Sequence, residues 1–237
     1  VLTPFGRITG TVTDDLTGEP LEGICVRGDR VDGFGGHDVY TDADGRYELW
    51  GLETGSYRLE FDDCIHERYF SESYDDRPTW EAGDPVAAMV GEPTTGIDAA
   101  LTLGGSISGV VIADGTGQPL EGICVGVYDV PNEWFHYGAY TDSAGRYSVG
   151  LLRSGDYKVR FSDCRRGEYQ DEFYNDVPYP NAATIIGVDL RSETSGVDAA
   201  LSLKGAISGT VTDSQTGEPI ADICVEASNE LGGGWGY

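Results

Sequence analysis

The sequence has few positive charges and no long apolar run. Its 237 residues include 15 Lys and Arg against 41 Asp and Glu, so the formal net charge at pH 7 is −26. Nucleic acid is therefore excluded as a direct partner, because binding a polyanion requires basic side chains that this chain lacks. An anionic membrane surface would repel it for the same reason. No stretch approaches the roughly 20 apolar residues of a membrane span, so we expect no direct membrane insertion of this segment.

Residues typical of catalytic and metal sites are also scarce. The three histidines, His37, His66 and His136, do not recur beside a fixed carboxylate or thiol, so neither a Ser/His/Asp nor a Cys/His arrangement is indicated. The sequence has no Cys-x-x-Cys pair, no His-Glu-x-x-His motif and no Gly-rich phosphate loop. We predict that the protein is not an enzyme, has no catalytic residues and binds no cofactor.

What the chain does contain is an internal repeat. Residues 6–14 return at 105–113 and again at 205–213, so the offset between copies is 99 or 100 residues. Further pairs of segments match at the same offsets: 23–26 with 122–125, 40–47 with 140–147, and 98–101 with 198–201. A period of this length is that of a domain, which favours tandem domains over a solenoid.

The repeat divides the chain into three parts. Residues 1–103 are the first repeat, and within them residues 1–2 match the tail of a preceding repeat. Residues 104–203 are the second repeat, and residues 204–237 are the N-terminal part of a third, incomplete repeat. Because both ends fall inside the repeat phase, we expect the sequence to come from a longer array. The last part offers about three strands, too few to close a two-layer core.

Strand patterns dominate each repeat. Ile8, Gly10 and Val12 alternate with threonines, a period of two with one apolar face. Turns rich in Gly and Asp separate about seven such segments, and the long polar stretch near the middle of each repeat could hold a helical turn. This pattern predicts an all-β protein made of tandem antiparallel β-sandwich domains, with about seven strands in each.

Four ordered motifs then resemble a known family. They are Gly-x-Ile-x-Gly-x-Val at 6–12, Gly-Glu-Pro-Leu-x-Gly-Ile-Cys-Val at 18–26, Thr-Asp-x-x-Gly-Arg-Tyr at 41–47 and Gly-x-Tyr-x-x-x-Phe at 55–61. Together they resemble the carboxypeptidase regulatory-like domain, which is close to the collagen-binding-protein B-type (CnaB-like) repeats of bacterial surface proteins. The resemblance implies a prealbumin-like or immunoglobulin-like sandwich with a spacer, stalk or adhesive role, usually extracellular.

CnaB-like domains often carry a Lys–Asn isopeptide crosslink, and this chain departs from that pattern. It has two lysines, Lys158 and Lys204, whose counterparts in the first repeat are Arg58 and Gly104. Neither lysine can be the nucleophile of a crosslink repeated in every unit. We expect a disulfide to replace the crosslink.

The cysteines are spaced as one pair per complete repeat. Cys25 and Cys64 lie 39 residues apart, and Cys124 and Cys164 lie 40 apart. Strand parity places both cysteines of a pair outside the core, so we predict the disulfides Cys25–Cys64 and Cys124–Cys164 on the outer face. Cys224 is left unpaired, because the partner expected from this spacing falls beyond residue 237. Such pairing favours an oxidising, extracellular or cell-surface compartment; the alternative is a cytosolic protein with reduced, buried cysteines.

Carboxylates shared by both repeats are the one feature that resembles a ligand site. Calcium takes six to eight oxygen ligands, often from neighbouring carboxylates and carbonyls. Asp42 precedes a turn whose second acid is absent from the second repeat, so we interpret it as turn chemistry. The calcium candidates are Asp63, Glu72 and Asp76 with their counterparts Asp163, Glu172 and Asp176. The alternative is a solvated acidic surface, and we commit to no metal.

The variable loop before Tyr40 and its equivalents is rich in aromatic residues, among them Trp134, Phe135 and Tyr137 in the second repeat. Exposed aromatic rings can stack on sugars or dock proteins, although packing over the sandwich is the simpler interpretation. The sequence thus predicts a structural segment of an extracellular multi-domain array, such as a stalk, surface fibre or filament. Its partners would be neighbouring repeats and identical chains in a fibre. The alternative is an adhesive or glycan-binding module of a secreted or surface protein.

Overall fold

A computed structural model of the chain describes residues 5–33, 36–130 and 135–226, without the side chains of residues 135–137. It separates the chain into two compact units, residues 1–203 and 204–237. The first unit holds the first and second repeats, each with a hydrophobic core of its own. Among the described residues, no helix has both the length and the apolar character needed to cross a membrane.

The described residues of the first repeat form nine strands and one short 3₁₀ helix at Trp80–Ala82. The strands are β1 Gly6–Asp14, β2 Cys25–Arg30, β3 Gly36–Tyr40, β4 Arg46–Leu52, β5 Gly55–Asp62, β6 Glu72–Ser73, β7 Val86–Ala88, β8 Pro93–Thr94 and β9 Ala99–Leu101. This confirms the predicted all-β class. The count exceeds seven because β6 and β8 are two residues long, and pairs that short leave no alternating pattern in the sequence.

The strands form two sheets that face each other. In one sheet β1 lies between β4, antiparallel, and the parallel strands β8 and β9. In the other sheet the order is β3-β2-β5-β6, and β7 also pairs with β5. A mixed sheet packed on an antiparallel one buries the apolar face of each strand and leaves the opposite face to solvent.

The second repeat has the same topology. Its strands are β10 Gly105–Ala113, β11 Cys124–Asp129, β12 Phe135–Tyr140, β13 Arg146–Leu152, β14 Gly155–Ser162, β15 Glu172–Phe173, β16 Ile186–Val188, β17 Glu193–Thr194 and β18 Ala199–Leu201, with a 3₁₀ helix at Pro180–Ala182. One sheet contains β13, β10, β17 and β18, and the other contains β12, β11, β14, β15 and β16. The sequence repeat is therefore a repeat of one structure.

Each core is built around an edge-to-face aromatic pair. Tyr47 and Phe61 have ring centroids 5.8 Å apart, and Tyr147 and Phe161 have the same separation. Both tyrosines are buried and donate a hydrogen bond of 2.6 Å to a backbone carbonyl of the facing segment. Burial first, and a nearby aspartate second, raise the pKa of both hydroxyls far above its usual value. The rings consequently stay neutral and serve as core.

The glycine in the middle of the first strand has a packing cause. A Cβ built on Gly10 would lie 1.8 Å from the carbonyl oxygen of Ile97, and one on Gly109 would lie 2.2 Å from that of Val197. The segment before β9 thus crosses directly over β1, at a distance that only a glycine permits. The Gly-x-Ile-x-Gly-x-Val motif records this close approach.

The described part of the last unit, residues 204–226, contains no assigned strand and only one isolated bridge, Thr212–Pro219. Its apolar side chains are exposed, among them Ile207 at 90% and Val225 at 65%. The strands expected here from the repeat do not form. In the first repeat β1 is paired with β4, β8 and β9, and the described residues 204–226 contain no matching partner strands.

Candidate functional site

The two disulfides lie on the outer face of the sandwiches. Cys25 bonds to Cys64 with the Cα atoms 6.1 Å apart, and Cys124 bonds to Cys164 at 5.9 Å. Each joins the second strand of its repeat to the residue just after the fifth strand, and both Cys64 and Cys164 are exposed. Cys224 is free and exposed. Each disulfide therefore fixes the start of the loop that follows the fifth strand.

A buried aspartate fixes the same loop from inside. Asp63 accepts hydrogen bonds from the backbone N–H groups of His66 at 3.0 Å and Arg68 at 2.9 Å. Asp163 does the same in the second repeat, with Arg166 at 3.0 Å and Glu168 at 2.8 Å. Although burial raises the pKa of Asp163, these N–H donors outweigh it and hold the pKa at about 2. We call residues 63–70 the staple loop of the first repeat and residues 163–170 that of the second repeat.

The staple loop of the first repeat contacts the start of the second repeat. The N–H of Phe70 donates to the carbonyl of Thr102 at 2.9 Å, and the N–H of Gly104 donates to that of Arg68 at 2.8 Å. Residues 101–105, which connect the repeats, are thereby hydrogen-bonded to the staple loop. The link is short and part of the fold rather than a free tether.

Residues of the second repeat approach the same loop from the other side. The Arg153 guanidinium lies over the Phe70 ring, 4.6 Å from its centroid, in cation–π geometry. A Cβ on Gly150 would lie 3.1 Å from the carbonyl oxygen of Glu67, so the small residue permits this approach. The two repeats therefore form a packed junction.

An ion pair closes the junction. Arg191 of the second repeat donates from Nη1 to both carboxylate oxygens of Asp14 in the first, at 3.0 and 2.8 Å, and its Nη2 pairs with Asp15. Asp14 is 5% exposed and Arg191 21%. The hydroxyl of Tyr69 also donates to Asp14, at 3.2 Å. The single nitrogen Nη1 thus serves both oxygens of Asp14, and such charge-assisted hydrogen bonds are roughly twice as strong as neutral ones.

The electrostatics of Asp14 depend on that partner. Burial raises the pKa of the carboxyl, but the Arg191 guanidinium and the backbone N–H groups of Thr17 and Leu16 outweigh it. The pKa of Asp14 therefore lies well below its usual range, and the pair is ionised at any physiological pH.

The junction residues are not shared by the two repeats, so the internal repeat did not reveal them. Arg191 occupies the position of Gly91, and Asp14 occupies that of Ala113. A signal was nevertheless present. Arg191 has a left-handed backbone, φ +64, at a position where the first repeat has a glycine with φ +89. A charged residue at such a position accepts backbone strain, which favours a specific role for its side chain.

The acidic candidates are only partly brought together. Asp63 and Asp163 use their oxygens within the staple loops, as described above. Among the described residues no group of three His, Cys, Asp or Glu side chains could hold a metal ion. Glu72 accepts from the N–H of Ala100 at 3.3 Å. Binding of calcium by Glu72 and Asp76 or by their counterparts stays a prediction.

Two half-buried glutamates carry the clearest perturbation among these acids. Burial is the main cause that raises the pKa of Glu72 to about 7, with a smaller contribution from Asp76. Burial also raises the pKa of Glu172 to about 7, followed by the negative charges of Asp176 and Asp114. Both glutamates titrate close to neutral pH.

The aromatic loop lies mostly outside the described residues. Trp134 is not described, and Phe135 and Tyr137 belong to β12 but their side chains are not described. Next to β12 the outer face of the second repeat has a groove of about 450 Å³, with Gly126, Gly138 and Tyr140 among its lining residues. The Arg165 guanidinium lies 4.8 Å from the centroid of the Tyr140 ring. The binding role predicted for the loop stays a prediction.

Comparison with known proteins identifies related sequences and folds. The carboxypeptidase regulatory-like domain family matches residues 7–67 and 106–185, more than half of the chain. No curated protein matches it at a significant level.

Solved structures with a similar fold come from Gram-positive surface proteins. The minor pilin GBS52 of Streptococcus agalactiae has a TM-score of 0.38 and 13% identity, over 86% of this chain and 99% of the pilin. The shaft pilin SpaA of Lactobacillus rhamnosus GG has a TM-score of 0.39 and 11% identity, over 86% and 100%. The Bacillus anthracis TIE protein has a TM-score of 0.34 and 15% identity, over 84% of this chain and 34% of that protein, so the match spans about a third of its length.

Proposed function

Because the chain belongs to the carboxypeptidase regulatory-like domain family, we propose that it is a non-enzymatic structural segment of an extracellular multi-domain array. In this role each sandwich is a spacer, and the useful property is a defined join between consecutive spacers. Stalks, surface fibres and filaments all require such a join. Neighbouring repeats of the same chain are the partners that the proposal requires.

The junction is the observation that carries the proposal. The Arg191–Asp14 pair, the Arg153–Phe70 contact and the hydrogen-bonded link of residues 101–105 all act between the same two repeats. A protein whose repeats acted independently would gain nothing from an arginine in a left-handed backbone conformation. A protein that transmits orientation or tension from one repeat to the next would benefit from it, because the arginine fixes the join.

The disulfides and the net charge also support the proposal, and the disulfides support an extracellular location in particular. One disulfide in each complete repeat is typical of proteins that fold in an oxidising compartment. Such a bond also limits how far a repeat can extend if it is pulled open, because the 39 or 40 residues between the cysteines stay closed in a loop. A net charge of −26 favours solubility over unspecific association.

The test is whether the first two repeats reorient as one body. Residual dipolar couplings in weakly aligned full-length protein should fit both repeats with one alignment tensor. Arg191→Gly, which introduces the residue of the first repeat at this position, should weaken the join, so that the two repeats fit one tensor less closely than they do in the unmodified protein. Arg77→Ala is the matched control, because it removes the exposed Arg77–Asp84 pair, 3.1 Å, inside the first repeat. Two unrelated tensors for the unmodified protein would contradict the proposal.

A further inference from the structure

The end of the first repeat that faces away from the junction presents a group of large, exposed apolar side chains. Phe5 is 59% exposed, Trp50 66%, Met89 52% and Val90 38%. We call these four residues the leading face of the first repeat. Apolar side chains of this size that cluster on a surface mark an interaction site more often than chance exposure does.

The backbone places these residues next to one another. Phe5 directly precedes Gly6, whose Cβ position lies 3.1 Å from the carbonyl oxygen of Met89. In the β1–β4 pairing Arg7 is opposite Trp50. The N–H of Val90 donates to the Thr54 hydroxyl at 3.2 Å, which holds the turn to the end of β4. The leading face is therefore one surface at the beginning of β1.

The second repeat uses the same positions for its junction with the first. Gly104 replaces Phe5 and Gly150 replaces Trp50, and both contact the staple loop. The turn is held in the same way, by the Leu190 N–H and the Ser154 hydroxyl at 2.9 Å. Gly91 of the first repeat corresponds to Arg191, which binds Asp14. The leading face is thus the counterpart of the junction surface of the second repeat, but the rings of Phe5 and Trp50 stand where Gly104 and Gly150 allow close backbone approach, so a repeat docked there would pack on these rings.

Charge decides which kind of repeat end fits the leading face. Glu53 and Gly91 stand where the second repeat has Arg153 and Arg191. Arg30 lies at this end but pairs with Glu53 at 2.8 Å, so the leading face has no arginine at the position that binds Asp14 and Asp15 in the junction. An end with an apolar residue in place of Asp14 suits it better. The second repeat has such an end, with Ala113 at this position and Asp114 as the one acid that remains of the pair.

We infer that the leading face is a docking surface for the C-terminal end of another repeat of this family, one with an uncharged residue at the position of Asp14. This inference rests on the proposed function, which it deepens by naming the partner and its chemistry. It makes the two faces of the chain different in kind: the first–second junction is held by an ion pair, and the leading junction is apolar.

The experiment extends the full chain by one repeat in register. A copy of residues 104–199 is placed directly before Val1, since Val1 and Leu2 match Ala200 and Leu201. The copy contains no methionine, so Met89 remains the single methionine of the extended chain. The readout is the rate at which dilute hydrogen peroxide oxidises Met89, measured by peptide mass spectrometry with and without the extension.

We expect the extension to slow oxidation of Met89 at least fivefold and to reduce acrylamide quenching of Trp50. Ala113→Asp in the added copy should restore most of the original oxidation rate, because it adds a second acid next to Asp114 and faces it toward Gly91, where the second repeat has the Arg191 that binds Asp14. Trp50→Gly in the extended chain should restore it as well. The formation of the added disulfide, read from the intact mass, shows that the copy has folded.

Oxidation of Met89 at the same rate in the extended and unextended chains would overturn the inference. Equal protection by the unaltered copy and by the copy with Ala113→Asp would overturn the charge preference within it. Neither result touches the proposed function if the first two repeats still share one alignment tensor. Two tensors in the unextended chain would instead contradict the proposed function itself.

Discussion

The two complete repeats agree in their interiors and differ at their ends. The Tyr–Phe pair of each core has the same 5.8 Å separation, and each staple loop is held by the same aspartate and disulfide. At the ends, Gly91 corresponds to Arg191, and Asp14 corresponds to Ala113. The interior residues are the same because both repeats have the same fold, whereas the end residues differ because each end contacts a different neighbour. Residues that recur therefore belong to the scaffold, and residues that differ include those of the junction.

The shared interior can be tested at the glycine in the middle of the first strand of each repeat. Gly10→Ala should destabilise the first repeat by on the order of 4 kcal/mol. The new Cβ would lie 1.8 Å from the Ile97 carbonyl oxygen, so β1 would have to move away from the segment before β9. Gly109→Ala should do the same to the second repeat. Hydrogen exchange measured by mass spectrometry reads the opening free energy of each repeat separately.

Gly209→Ala is the matched control for both variants. Gly209 holds the same position in the third copy of the motif, yet no atom lies within 4 Å of its Cβ position. The substitution should leave the exchange of the first two repeats unchanged. Native-like protection in Gly10→Ala would show that the crossing segment moves away easily, and that packing does not explain the glycine.

Removal of one disulfide is the next largest change. Replacing Cys25 and Cys64 by Ser should cost the first repeat about 4 kcal/mol, since the crosslink closes a loop of 39 residues in the unfolded chain. The matched Cys124 and Cys164 double variant should cost the second repeat a similar amount. Exchange should rise first in residues 64–70, because the bond anchors that loop. A loss confined to the unmodified repeat would contradict the assignment of one disulfide to each core.

Much of the fold could be predicted from local pattern alone. The period of two in β1, the glycine turns and the matched cysteine spacing each depend on interactions within one repeat. Such interactions leave the same residues in both copies, so self-comparison reveals them. The turn at Asp42 is an example: its carboxylate accepts the N–H groups of Asp44 at 3.0 Å and Arg46 at 2.9 Å, as turn chemistry requires.

The junction could not be predicted in this way. Arg191 and Asp14 are 177 residues apart, and neither is matched by a charged residue at the corresponding position of the other repeat. Their pairing depends on how two domains pack, which no periodicity encodes. The shared carboxylates show a different limit of self-comparison. Asp63 and Asp163 recur because each folds a loop through backbone N–H groups, so recurrence alone did not indicate a ligand.

A pH titration sharpens the comparison, because the half-buried glutamates Glu72 and Glu172 recur while their surroundings differ. The pKa of Glu72 and that of Glu172 are raised from 4.5 to about 7 in the folded protein. The unfolded chain therefore releases these protons first, and each repeat should lose stability as the pH rises from about 4.5 to 7. After allowance for partial exposure, we expect a loss of about 1 kcal/mol per group.

Glu72→Gln and Glu172→Gln should flatten that loss in the altered repeat alone. Asp163 provides the internal reference. Its pKa is lowered to about 2, so its contribution is present above pH 4 and is lost only as the pH falls toward 2. Stability measured by denaturant titration at several pH values separates the two ranges. An unchanged slope between pH 4.5 and 7 in both Gln variants would show that other groups carry it.

The smallest effect concerns the ends, where the repeats differ most. Asp14→Asn keeps an oxygen for the Leu16 and Thr17 N–H groups but removes the charge, and Arg191→Gly removes the cation and restores the glycine of the first repeat. Because Asp14 is 5% exposed, the ion pair is stronger than a surface pair, yet desolvation cancels part of the gain.

A double-mutant cycle should therefore give a coupling free energy of about 1 kcal/mol between these positions. The single effects include lost turn contacts and released backbone strain, so only the coupling reports the contact between repeats. A coupling close to zero would mean that residues 101–105 and the Arg153–Phe70 contact hold the junction without the ion pair.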